Sequence, residues 1–186
     1  MARTYNIAVF VGSLRKASYS RKIAHALESV ASEDLKLKIV EIGDLPLYNE
    51  DLETATPPES WTRFRNELKN ADGFLFVTPE YNRSIPATIK NAIDVGSRPY
   101  GQSHWNGKPG AVASLSQGSI GGFGANHHLR QSLVFCDVLT LQQPELYISQ
   151  VQNLVTDDGK PANENARNFL SNFMQAFERL VKLAVK

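Results

Sequence analysis

The stretch from Asn6 to Ile23, NIAVFVGSLRKASYSRKI, constrains this chain more than any other. Ile7 to Val11 is an unbroken apolar run, as expected of a strand covered on both faces of a parallel sheet. Gly12 ends the run and permits a tight turn. Ser13, Arg15, Lys16, Ser18 and Ser20 follow, and then an amphipathic helix with Ile23, Ala24, Leu27, Val30 and Ala31 on one face. A helix N-terminus offers unpaired N–H groups and a partial positive charge. Hydroxyls from Ser13, Ser18 and Ser20 and the Arg15 guanidinium around such a turn suit a terminal monophosphate. The same residues also read as an N-cap at Ser18 or Ser20 with a solvated Arg15. The turn lacks both G-x-x-x-x-G-K-[ST] and G-x-G-x-x-G, so neither a triphosphate nor a pyrophosphate is indicated.

The rest of the chain alternates strands and helices. Leu35 to Ile42 reads as a strand nearer the sheet edge, with lysines facing outward. Prolines at 46, 57 and 58 break the loop that follows. Trp61, Phe64 and Leu68 then mark a helix from near Pro58 to near Ala71. Asp72 to Thr78 is a third strand, and a helix begins just after Pro86. Gly110 to Leu115 is a fourth strand, and a helix covers roughly Ala125 to Phe135. A short strand falls near Val138 to Leu141, with an extended piece at Leu146 to Ile148. The last helix runs from about Glu164 to Leu183, with Phe169, Phe173, Phe177, Leu180 and Ala184 as its buried stripe. This order calls for an α/β fold with a doubly wound parallel sheet. Five strands with a phosphate turn after the first favour a flavodoxin-like three-layer α/β/α sandwich, strand order 2-1-3-4-5, as one domain over residues 1–186.

The totals exclude several classes. At 186 residues, 42% hydrophobic and 21% charged, the chain is an ordinary globular protein. A net charge of +1 gives no long-range pull toward nucleic acid or an anionic membrane. A lone cysteine, Cys136, forms no internal disulfide, and in the run LVFCDV it reads as an inert buried thiol. No stretch approaches the ~20 apolar residues of a membrane span, and no signal-peptide pattern opens the chain, so a cytoplasmic location is expected. The adjacent His127 and His128 point apart on a helix, and no spacing resembles a metal site.

Ligands in such a sheet sit outside the carboxyl ends of the strands, where strand order reverses. The loops there are the serine–arginine turn, PEYNRSIP and SQGSIGGFG. The second holds a planar aromatic stiffened by two prolines, and the glycines of the third permit close backbone approach to a flat ligand. GSLRKASYSRK, TPEYNRSIPATIKNAIDVGSRP and the glycine-rich loop resemble the NADPH-dependent FMN reductase family, which includes quinone, azo-dye and chromate reductases.

The resemblance extends over nearly the whole chain and implies specific roles. Ser13, Arg15, Ser18 and Ser20 would hold the FMN phosphate. Pro79, Glu80, Tyr81 and Asn82 would line the isoalloxazine ring. Ser116, Gln117 and Gly118 would approach its pyrimidine side or the ribityl chain. Gly124 and His127 stand where relatives often carry Arg and Tyr. The implied reaction is ping-pong hydride transfer from NADPH or NADH to FMN, then two-electron reduction of a quinone, azo, nitro, chromate or free-flavin acceptor. The flavin carries that chemistry, so no side chain is named catalytic. The implied assembly is a homodimer or homotetramer. A flavodoxin-type electron carrier and a phosphate-ester binding module are the competing readings; nicotinamide turnover without a partner reductase, and flavin colour, separate them.

Overall fold

The computed structural model describes residues 3–185. Its strands are β1 (Tyr5–Val11), β2 (Leu35–Ile39), β3 (Gly73–Pro79), β4 (Pro109–Leu115), β5 (Leu139–Thr140) and β6 (Leu146–Ile148). Its α-helices are α1 (Tyr19–Val30), α2 (Glu59–Asn70), α3 (Ala87–Gly96), α4 (Phe123–Phe135) and α5 (Glu164–Ala184). The sheet is parallel throughout, in the order β2-β1-β3-β4-β5, with β6 also on β4. This is the flavodoxin-like arrangement.

The expected fifth strand is divided. β5 pairs with Pro109 and Gly110 of β4, whereas β6 pairs with Ala113, Ser114 and Leu115. Since β3 holds the other edge of β4, both short strands share one side of it. Between them Gln142, Gln143 and Pro144 are exposed. Pro144 has no N–H to give a ladder, which favours the detour. β2 stops at Ile39, earlier than its apolar pattern predicts, although the Val40 amide still donates to Val9 O at 2.9 Å.

Alternation along the strands builds two cores on opposite faces of one sheet. Ile7, Val9, Val11, Leu75 and Val77 pack with α1 and α5, while Ala8, Phe10, Phe74 and Phe76 pack with α2, α3 and α4. Trp105 belongs to this second core and is fully buried. Its ring lies 4.8 Å from Phe74 and 5.5 Å from Phe10, and its Nε1 donates to Ile93 O at 3.1 Å. In α5 the buried stripe includes Ala166, Leu170, Phe173, Met174, Phe177 and Val181. Phe169 is 41% exposed and lies outside it, a correction to the expected face.

Candidate functional site: a cleft at the strand ends

The cleft lies at the carboxyl ends of β1, β3 and β4, where the strand order turns back. In its first wall Ser13, Ser18 and Ser20 are buried, at 5%, 3% and 1% exposure, while Arg15 is exposed. Ser18 caps α1, its Oγ accepting from Arg21 N at 3.2 Å. A hydroxyl that accepts in this way still has its own hydrogen to donate, so capping and anion binding coexist at Ser18. Tyr19 and Ser20 open α1, where amides have no carbonyl of their own helix to bond. Gly12 locks this turn to the next loop. A Cβ there would meet Ile89 Cδ1 at 2.8 Å and Pro79 Cδ at 2.9 Å, and Thr88 Oγ1 donates to Gly12 O at 3.0 Å.

The second wall is a tight reversal. Tyr81 N donates to Ser84 O at 2.9 Å and Ser84 N to Tyr81 O at 3.0 Å. Asn82 and Arg83 between them have φ of +52° and +64°. Two left-handed residues inside a two-residue connection make a type I′ turn. Tyr81 is 47% exposed, and its hydroxyl donates to Ser13 Oγ at 3.4 Å, joining the first two walls. Glu80 joins this wall to α4. Its Oε2 accepts from Ala125 N, in the first turn of α4, at 3.1 Å, and its Oε1 pairs with Arg83 at 3.3 Å. Gly124 makes room for this contact: a Cβ there would meet Arg83 O at 2.8 Å.

The third wall is held by hydroxyls. Ser116 Oγ accepts from Gly121 N at 3.0 Å and donates to Gly118 O at 3.1 Å. Buried Ser114 donates to Gly121 O at 2.8 Å and accepts from Asn126 Nδ2 at 3.1 Å. The segment after β6 braces this loop from outside, with Val151 N on Ser116 O at 3.1 Å and Gln150 N on Gly118 O at 3.0 Å.

The resulting cleft holds about 180 Å³. Ser13, Arg15, Ser18, Ser20, Pro79, Glu80, Tyr81, Ser116 and Gln117 line it. Asn82 and Gly118 do not; Asn82 sits exposed in the I′ turn, and Gly118 is exposed at the loop tip. Tyr19, Leu115 and Val151 also line it and were not anticipated. Tyr19 and Leu115 stand inside or beside the motifs already singled out. Val151 carries no local signal, because only the pairing of β6 with β4 brings it there.

The two histidines of α4 clasp different neighbours. His127 Nε2 lies 3.2 Å from the Tyr147 hydroxyl and His128 Nδ1 lies 2.9 Å from Ser84 Oγ. Desolvation first, and then the Glu145 carboxylate, push the Tyr147 hydroxyl up to about 12, so it stays protonated at neutral pH.

A family model described as NADPH-dependent FMN reductase matches residues 5–153, which include all three walls. A quinone reductase of Pseudomonas putida is 60% identical over 183 residues, 98% of this chain and 98% of the relative. A 2-hydroxy-1,4-benzoquinone reductase of a Burkholderia species is 44% identical over 176 residues, 95% of this chain and 96% of the relative. Among solved structures, FerB, a flavoenzyme NAD(P)H:(acceptor) oxidoreductase from Paracoccus denitrificans, superposes with a TM-score of 0.92 at 40% identity, covering 97% of this chain and 99% of that one. A match that runs unbroken through the serine turn, the I′ turn and the braced glycine loop makes this chain a member of the NADPH-dependent FMN reductase family.

Proposed function

We propose that this protein is an FMN-dependent oxidoreductase that takes electrons from NADPH or NADH and delivers them in pairs to a quinone. One observation carries the reading: three separate loops bring buried hydroxyls, an arginine and a half-exposed tyrosine to one cleft at the switch point of the sheet. The quinone reductase names of the relatives support the acceptor class.

The residues present fit the cofactor. Ser13, Ser18 and Ser20 hydroxyls, the first amides of α1 and Arg15 form a donor set for one phosphate. The ring end would lie between Pro79, Glu80, Tyr81 and Asn82 on one side and Ser116, Gln117 and Gly118 on the other. Bound FMN would supply the two-electron chemistry between nicotinamide and acceptor. The protein's part is to bind, orient and stabilise. Tyr81 stays aligned through Ser13, Glu80 ties the second wall to α4, and the Ile148–Val151 brace fixes the third. No side chain here is assigned as nucleophile or general base.

The same reading includes self-association. Tyr100, Val134 and Phe135 are 91%, 69% and 88% exposed and offer apolar surface to a partner. A second copy would cover them, giving a homodimer or homotetramer, and sedimentation of wild type against Phe135→Glu reads this out. No helix among the described residues is long and apolar enough to cross a membrane. A net charge of +1 fits a small-molecule acceptor rather than a nucleic acid or an anionic surface.

Purified protein should be yellow, or become so with FMN, and should oxidise NADPH when a quinone is present. Protein that stays colourless and takes up no FMN would overturn the assignment.

A further inference from the structure

Arg83 occupies backbone that suits it poorly. Its φ of +64° lies in the left-handed region, where glycine carries no penalty and a long side chain does. Strained residues kept at the rim of a site point to a use for the side chain. The surroundings hold the turn in place: Gly124 leaves room for the Arg83 carbonyl, and Glu80 is fixed by its bond to Ala125 N. The guanidinium itself remains outside, 73% exposed, and pairs with the other Glu80 oxygen at 3.3 Å. Tyr81, two residues earlier, lines the cleft. The turn that begins at cleft-lining Tyr81 therefore carries an exposed cation two residues on. With a net charge of +1 the molecule supplies little bulk attraction for an anion, so local cations have to provide it.

We propose that Arg83 is a specificity-determining residue that receives a phosphate of the nicotinamide co-substrate as that co-substrate docks over the cleft. The inference rests on the FMN oxidoreductase reading above. A guanidinium fork matches phosphate oxygens, and on the reading above Arg15 would serve the cofactor phosphate. Either the pyrophosphate, common to NADH and NADPH, or the ribose 2′-phosphate, present only in NADPH, supplies that chemistry.

The test compares FMN-loaded wild type with Arg83→Gly and Arg83→Lys. In Arg83→Gly the KM for the nicotinamide rises about fivefold, and equilibrium binding of NADP⁺, read by flavin fluorescence, weakens in parallel. Arg83→Lys recovers at least half of the loss. FMN affinity and the KM for uncharged benzoquinone stay as in wild type. Because glycine relieves the left-handed backbone, Arg83→Gly also melts about 2 °C higher, so lost folding does not explain the effect. An equal rise for NADH and NADPH assigns the pyrophosphate, and a rise confined to NADPH assigns the 2′-phosphate. Nicotinamide KM and NADP⁺ binding within about twofold of wild type, with the melting gain present, would overturn the proposal and leave the parent reading intact. A wild type that binds no FMN removes both.

Discussion

Two concavities on this molecule differ in size and in what their charges do. The larger, about 440 Å³, lies between β2 and α2 at the sheet edge. Two of its three cations are already answered: Lys38 Nζ donates to both Glu67 oxygens at 2.6 and 2.8 Å, and Arg63 Nη2 to Asp44 at 2.8 Å and to Glu41 O at 3.1 Å. These charges guard an edge strand against unwanted pairing. The cleft at the strand ends holds only about 180 Å³, yet it gathers hydroxyls, an arginine and an aromatic from loops far apart in sequence. Volume does not mark function here. Donors left over where distant loops meet, the Arg15 guanidinium and the hydroxyl hydrogen of the capping Ser18, do.

The largest effect should come from Gly12→Val. Its side chain would drive into Ile89 and the Pro79 ring and part the first two walls. We expect ~1–3 kcal/mol of lost stability and FMN affinity down by about two decades or more, read by thermal unfolding and flavin fluorescence titration. If the variant binds FMN normally, the interlock of these walls does not matter to the cleft. Arg15→Ala comes next, with ~1.5–3 kcal/mol of FMN binding lost, or about one to two decades, and little change in melting. Unchanged affinity would show that this guanidinium serves solvent alone. Lys38→Gln, in the larger groove, should cost less than ~1 kcal/mol of stability, since the Lys38 side chain is 65% exposed, and should leave FMN binding alone. A loss of FMN there would reverse the ranking of the two concavities.

The smallest effect is on stability against pH. His104, between α3 and β4, has its pKa lowered by desolvation first and then by Lys108. Its folded pKa lies below the ordinary 6.5, so the unfolded chain binds the extra proton more readily. Stability should therefore fall as pH drops below 6.5 toward the folded value, and His104→Gln should flatten that limb. Unfolding midpoints across this range decide it; identical slopes would show that His104 contributes nothing.

The fold is legible in the chain wherever periodicity is local. β1 and β3 announce themselves as apolar runs because both faces of the sheet are covered. The three rim loops stood out because serines, prolines and glycines interrupt those runs at the strand ends. What failed depended on distant partners. Phe169 continues the four-residue spacing of Phe173 and Phe177, but the buried face of α5 is centred on Leu170, Phe173, Met174 and Phe177. Trp105 and Tyr100 in the loop before β4 read as a wall of the substrate side or a subunit contact, but Trp105 is in the core, and its burial requires Gly96, where a Cβ would come within 2.6 Å of the indole nitrogen. Nothing local to Glu80 says that its carboxylate will cap α4, or that Gly124 will be the seat for the Arg83 turn.

The division of the outermost strand has an evolutionary reading. β5 and β6 dock separately on β4, and the exposed residues between them bear on neither docking site. Extra residues inserted there would cost only loop-closure entropy, a few tenths of a kcal/mol for a modest extension, roughly 0.6 per doubling of length. The connector is thus a place where a lineage can lengthen the chain and graft an appendage without disturbing either docking site on β4.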